Sequence, residues 1–186
     1  YINNIIFQNI NFNFNMSNED INYLCFLSKL YTKNLDYLST YFDNIDIVKL
    51  NLLLNKSDEN KVYPIHYLCI NKNFNIDYLK LYLKYNSKLI FEDEKKNILY
   101  FLLKYDNLSV DVINYLQELQ FNFDFIDSTL NQTFYHYLAS SNIVIEDKIL
   151  KLIFKILDKN NINKKNSYEI APILMASRLN NTKICN

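Results

Sequence analysis

Residues 62–68 read Val-Tyr-Pro-Ile-His-Tyr-Leu, and this heptad holds one of the two prolines and one of the two histidines of a 186-residue chain. At residues 133–140 the chain reads TFYHYLAS, so that His136-Tyr137-Leu138 repeats the triplet His66-Tyr67-Leu68. Pro64 suits the first position of a helix, where a missing amide proton costs nothing. The heptad therefore reads as the start of a short apolar helix, and its echo as the start of a second copy.

Working outward, Asp77 opens DYLKLYL, Asp111 opens DVINYL and Asp147 opens DKILKLIF, at separations of 34 and 36 residues. Eleven residues before each of them stand His66, Tyr100 and His136. Asp46, opening DIVKLNLLL after NLDYLSTYF, marks a weaker earlier copy, and EIAPILMAS (169–177) begins a later one. Each unit reads as a first helix, a polar break, a second helix capped by its Asp, and a polar loop, because an Asp carboxylate accepts the unpaired amides of a first helical turn. Leu79, Tyr82 and Leu83 fall on one side of the second helix and Lys80 and Lys84 on another. A single such pair cannot cover its own apolar side, whereas stacked neighbours can, which predicts a helical-repeat solenoid.

With that period in place, the motif resembles the ankyrin repeat, a unit of about 33 residues whose first helix opens Thr-Pro-Leu-His-x-Ala. YPIHYL (63–68) agrees at Pro64, Ile65 and His66, TFYHYLA (133–139) at Thr133 and His136, and APILMAS (171–177) at Pro172, Ile173 and Ala176. The HYL triplet, the Asn-rich break INKNFNID and the following YLKLYLK resemble in style the ankyrin proteins of poxviruses, as does the leading segment MSNEDINYLCFLSKLYTKNLDYLSTYF. The resemblance covers residues 20–186. It implies an all-α, ankyrin-type solenoid with an N-terminal capping helix pair, with repeat units near 33–62, 63–96, 97–131, 132–166 and an incomplete one at 167–186. Residues 1–18 are expected to be an Asn-rich extension, and the natural protein is expected to continue past residue 186. The family further implies a non-catalytic protein-binding module in the host-cell cytoplasm, whose partners are host signalling or ubiquitin-ligase proteins. The F-box-like segment many such proteins carry is not visible. An ankyrin adaptor from another AT-rich cellular or bacterial genome is the alternative.

The sequence departs from the ankyrin pattern in having no glycine at all. Ankyrin units place Gly where the backbone turns left-handed, and Asn tolerates that region next best. Asn86 stands at such a position and Asn142 in the break of the third clear copy, whereas the middle copy offers Gln120 and is expected to be distorted there. Tyr63 stands where the motif has a capping Thr.

Composition narrows the function further. Twenty acidic and twenty basic residues cancel, and the basic ones include a single arginine, Arg178. No net field draws the chain to nucleic acid or to an anionic membrane, and the side chain best suited to reading phosphates is nearly missing. Scarce Gly, Ala, Arg and Pro beside abundant Asn, Ile, Lys, Tyr and Phe point to an AT-biased genome. Cys25, Cys69 and Cys185 are odd in number and sit in apolar runs, which reads as buried, reduced thiols rather than a disulfide framework. The glycine-free backbone excludes phosphate-cradling loops and nucleophile elbows of the usual build.

No catalytic, cofactor-binding or metal-binding residue is expected. His66 and Cys69 lie three apart on a helix, but zinc needs three or four ligands. His66 and His136 are read as structural groups of the first helices. Sixteen tyrosines and thirteen phenylalanines are assigned mainly to core packing rather than to base stacking. The expected partner contacts are Tyr67 and Tyr137 on the first helices. The charged tip FEDEKK adds Glu92, Asp93, Lys95 and Lys96, and the tip DKNNINKK adds Lys159, Lys164 and Lys165.

Overall fold

A computed structural model describes residues 18–30, 35–91 and 97–182. These form ten α-helices and one 3-10 turn, with no strand among the described residues and a single antiparallel bridge between Ile126 and Thr133. The protein is all-α. In chain order the helices are α1 Asn18–Leu30, α2 Leu35–Asp43, α3 Ile47–Leu54, α4 Pro64–Cys69, α5 Ile76–Lys84, α6 Ile98–Lys104, α7 Val110–Glu118, α8 Phe134–Ser140, α9 Asp147–Ile156 and α10 Pro172–Arg178. The 3-10 turn covers Lys159–Asn161. Residues 1–17, the bulk of the expected extension, lie outside the described residues.

The helices contact one another in series. α1 packs on α4, α4 on α6, α6 on α8 and α8 on α10, while α2 packs on α5 and α7 on α9. α3 touches α1, α2 and α4. The series begins at α1. Ile65, Leu68, Cys69, Leu79, Tyr82, Ile98, Leu99, Leu102, Ile113, Leu116, Leu138 and Ile153 are buried along its length. One continuous apolar layer lies between neighbouring helices.

The second helices start slightly earlier than their aspartates. Asp46 does cap α3, accepting from the amides of Val48 and Lys49 at 3.1 and 3.0 Å. Elsewhere the cap side chain is that of Asn75 for α5 and Ser109 for α7, while α9 follows Glu146, whose side chain accepts from no first-turn amide. Asp77, Asp111 and Asp147 fall inside the first turn, where their charge faces the positive helix end but their side chains do not cap.

Among the described residues, chain reversal without glycine is solved by non-glycine residues at positive φ: Lys61, Asn86, Asp106, Gln120, Asn131, Glu169 and Asn180. Asn86, Asp106, Gln120 and Asn180 each end a helix with a Schellman closure. In that of Gln120 the Phe121 amide donates to Leu116 O at 2.9 Å and the Gln120 amide to Gln117 O at 2.9 Å. The middle unit is therefore not distorted at Gln120, because closing two helix-end carbonyls offsets the cost of a left-handed Gln. Asn142 does not take up a left-handed conformation; α8 instead leaves through Ser141 in an extended conformation (φ −69, ψ 128).

Candidate functional site

Three polar turns precede first helices and share one construction. Asp58 Oδ1 accepts from the amides of Asn60 and Val62 at 2.8 and 3.0 Å, ahead of α4. Asp127 Oδ1 accepts from Thr129 and Leu130 at 2.9 and 2.7 Å, and its Oδ2 from Gln132 at 3.2 Å, ahead of α8. Asn166 Oδ1 accepts from Tyr168 and Ile170 at 2.9 and 3.1 Å, ahead of α10. Each turn closes with a left-handed residue two before the helix cap: Lys61, Asn131 and Glu169. An Asp or Asn side chain that takes its own loop's amides pre-forms a turn, so these loops hold fixed positions beside the helix row. In the sequence they show only as an Asp or Asn five or six residues before a helix cap, a signal weaker than the repeated HYL triplet.

The first helices are tied to these turns. Tyr67 donates its hydroxyl to Asp58 Oδ2 at 2.6 Å and Tyr137 to Asp127 Oδ2 at 3.0 Å. Burial first, then the neighbouring carboxylate, pushes both phenols well above their ordinary pKa. Tyr67 is half-buried. Tyr137 is only 4% exposed and packs against Tyr100 at 5.0 Å between ring centres. The Asp127 bond and the Tyr100 ring hold Tyr137 inside the helix layer rather than on the surface. Tyr100, half-buried at the same helix position as the two histidines, takes its place beside the surface.

The two histidines hold helix starts. The Tyr63 amide donates to His66 Nδ1 at 3.2 Å and the Thr133 amide to His136 Nδ1 at 3.1 Å. Since Nδ1 of His136 accepts, the proton sits on Nε2, which donates to Ile170 O at 3.0 Å and so reaches the next turn. Burial lowers the His136 pKa, against smaller opposing effects of the Ile170 carbonyl and Asp127. The middle copy has Tyr100 here, and Asn97 supplies the cap by accepting from the Leu99 amide at 3.1 Å.

Of the charged tips, Glu92, Asp93, Lys95 and Lys96 lie outside the described residues. Phe91 just before them stacks on Tyr63, 3.5 Å between ring centres. The segment 158–165 is not itself the turn before α10: Lys159 starts the 3-10 turn and is exposed, Lys164 is half-buried, and exposed Lys165 pairs with Glu169 at 3.1 Å. The turn proper is Asn166–Ile170. Sequence reading also missed Lys104, an exposed ammonium 5.6 Å from the rings of both Tyr100 and Tyr105. Its pKa is raised, first by a hydrogen bond with the Tyr100 hydroxyl and then by the charges of the phenols.

No group of three or more His, Cys, Asp and Glu side chains able to hold a metal occurs among the described residues. Cys25 and Cys69 are free and buried, their thiols pushed up by burial, that of Cys25 to about 12. No helix among the described residues is long and apolar enough to cross a membrane. The arrangement offers instead a row of first helices bearing Tyr67, Tyr100 and Lys104, edged by three rigid polar turns. No family model matches the chain, and no curated protein matches it.

Proposed function

We propose that the protein is a non-catalytic protein-binding module, an ankyrin-type solenoid headed by α1 and α2 as its capping pair. The observation that carries this reading is the serial row of first helices flanked by turns of one construction. Such an array is an extended surface suited to another protein rather than a closed pocket suited to a small substrate. Aromatic rings beside a cation, as at Tyr100 and Lys104, are favourable anchors at such surfaces. Sequence style and AT-biased composition support a viral role, with a host signalling or ubiquitin-ligase protein as partner in the host cytoplasm.

Capture with the full chain from host-cell lysate, followed by amine cross-linking and mass spectrometry, tests both levels. Cross-links from Lys104, Lys159 and Lys165 to an antiviral or ubiquitin-ligase protein support the proposal. Cross-links concentrated on Lys80, Lys84, Lys151 and Lys155 of the second helices would overturn the binding face. Capture of cytoskeletal or housekeeping partners through the first-helix face would leave an adaptor of another AT-rich genome in place of a viral factor.

A further inference from the structure

Seven residues after the helix caps Tyr63, Asn97, Thr133 and Ala171 stand Ile70, Lys104, Ser140 and Arg178. These four side chains therefore share one position along the row of first helices. Lys104 and Arg178 are two helices apart in the series α6, α8, α10, and both are exposed. Neither pairs with a carboxylate among the described residues. Lys80, Lys148 and Lys165, by contrast, pair with Asp77, Glu146 and Glu169.

The cation of α6 borders a cleft. Tyr100, Lys104, Tyr137, Ser140 and Asn142 help to line a surface cavity of about 280 Å³ between α6 and α8, and Lys104 is the only charged residue on its wall. The Tyr100 and Tyr137 rings, 5.0 Å apart between centres, supply apolar surface. Lys104 Nζ lies 5.6 Å from the centres of the Tyr100 and Tyr105 rings and is hydrogen-bonded with the Tyr100 hydroxyl, so its place beside the cleft is fixed. An ammonium carries three donors, and that bond engages one. Asn142 is exposed, and its side-chain amide bonds to nothing among the described residues. The nearest acids in sequence, Asp106 and Glu146, line the adjoining cleft instead, and Glu146 is taken by Lys148.

We infer that this cleft takes the carboxylate of an aspartate or glutamate from an extended acidic segment of the partner protein, and that Arg178 takes a second carboxylate of the same segment. The inference rests on the reading of the first-helix row as a protein-binding face and names the chemistry that face selects. An ionised carboxylate only accepts hydrogen bonds, which suits a wall offering an ammonium and an unengaged amide with no competing acid. The volume lies below the roughly 300–1,000 Å³ of small-molecule pockets and fits a single side chain. A phosphoryl group calls for an arginine fork or a nest of backbone amides, whereas this cleft holds one lysine point charge. Packed helices lie about 8–10 Å apart, so two steps of the row separate Lys104 from Arg178 by about 16–20 Å. An extended chain rising about 3.3 Å per residue spans that distance in about five or six residues. The recognised segment therefore carries its acids that far apart.

Selection from a random-peptide phage library on the immobilised full chain, followed by fluorescence anisotropy and photo-cross-linking of the enriched peptides, tests this. Enriched peptides should carry Asp or Glu pairs at about the stated spacing. Lys104→Gln should weaken their binding by about fivefold to tenfold and the more exposed Arg178→Gln by about threefold, while Lys151→Gln and Lys155→Gln on α9 leave it unchanged. Lys104→Glu should lose these peptides and bind versions in which one acid is replaced by lysine, a charge exchange that a purely structural lysine would not support. Enriched peptides without acids, or acidic ones indifferent to Lys104→Gln, overturn the inference. In that event the binding-face reading stands if the peptides cross-link to the first helices and falls if they cross-link to α9. An absence of any enriched peptide also overturns the inference, and the lysate capture then decides the binding-module reading alone.

Discussion

Replacing Asp127 by alanine should be among the most damaging single changes outside the apolar layer. The carboxylate is 2% exposed and accepts three amides of its own turn and the Tyr137 hydroxyl. A hydrogen bond to a charged group contributes about 1.5–3 kcal/mol, and a donor left buried without an acceptor costs about 1–3 kcal/mol. Water can reach the partly buried loop amides but not readily the phenol, so the expected loss is about 3–4 kcal/mol rather than the full sum. Asp127→Asn keeps the Oδ1 bonds, as Asn166 does with a neutral side chain in the equivalent turn, and should cost about 1–2 kcal/mol. Tyr137→Phe should cost about 1 kcal/mol, and combining it with Asp127→Asn should cost less than the sum, since both act on one bond. Urea unfolding followed by far-ultraviolet circular dichroism is the assay. With a slope of about 2 kcal/mol per molar urea, the alanine variant should lower the midpoint of the transition that melts α8 by about 1.5–2 M. A loss below about 1 kcal/mol for Asp127→Ala, or equal losses for Asn and Ala, would refute the turn as the organiser of this helix start.

Other expectations follow from the same geometry. His136 has a folded pKa below its ordinary value, so the unfolded chain takes up the proton first as pH falls. Stability should be full above pH about 6.5 and should decline from there down to the lower folded pKa; in His136→Gln that slope should vanish, and an unchanged slope in thermal melts would contradict the assignment. Gln120→Gly should stabilise the protein by about 0.5–1 kcal/mol by removing a left-handed side chain, while Gln120→Val should destabilise it by more than about 1 kcal/mol; denaturant midpoints decide this. Cys25 and Cys69 should resist alkylation in the native protein and react in urea, and mass spectrometry showing either modified without denaturant would contradict their burial.

Much of the helical layout was readable in advance, because it follows from local rules. Pro64 and Pro172 start helices where a proline is harmless, the His66, Tyr100 and His136 register holds at one helix position, and Asp46 caps as its chemistry suggests. Asp77, Asp111 and Asp147 show the limit of such reading, since Asn75, Ser109 and Glu146 lie one or two residues away and the sequence alone does not rank them. Gln120 shows another, because a left-handed glutamine is tolerable only where the bonds of Phe121 and its own amide close the helix behind it.

What the chain determined by itself is therefore the helix content and the apolar sides of the helices, both of which depend on neighbours three or four residues away. Tertiary structure decided the rest. It turned Tyr137 inward onto Asp127, gave His136 a carbonyl 34 residues later in Ile170, and used Asn107 to close a helix ending at Cys69. Polar side chains can satisfy themselves with whichever partner burial brings within about 3 Å, and that partner is known only once the helices are stacked.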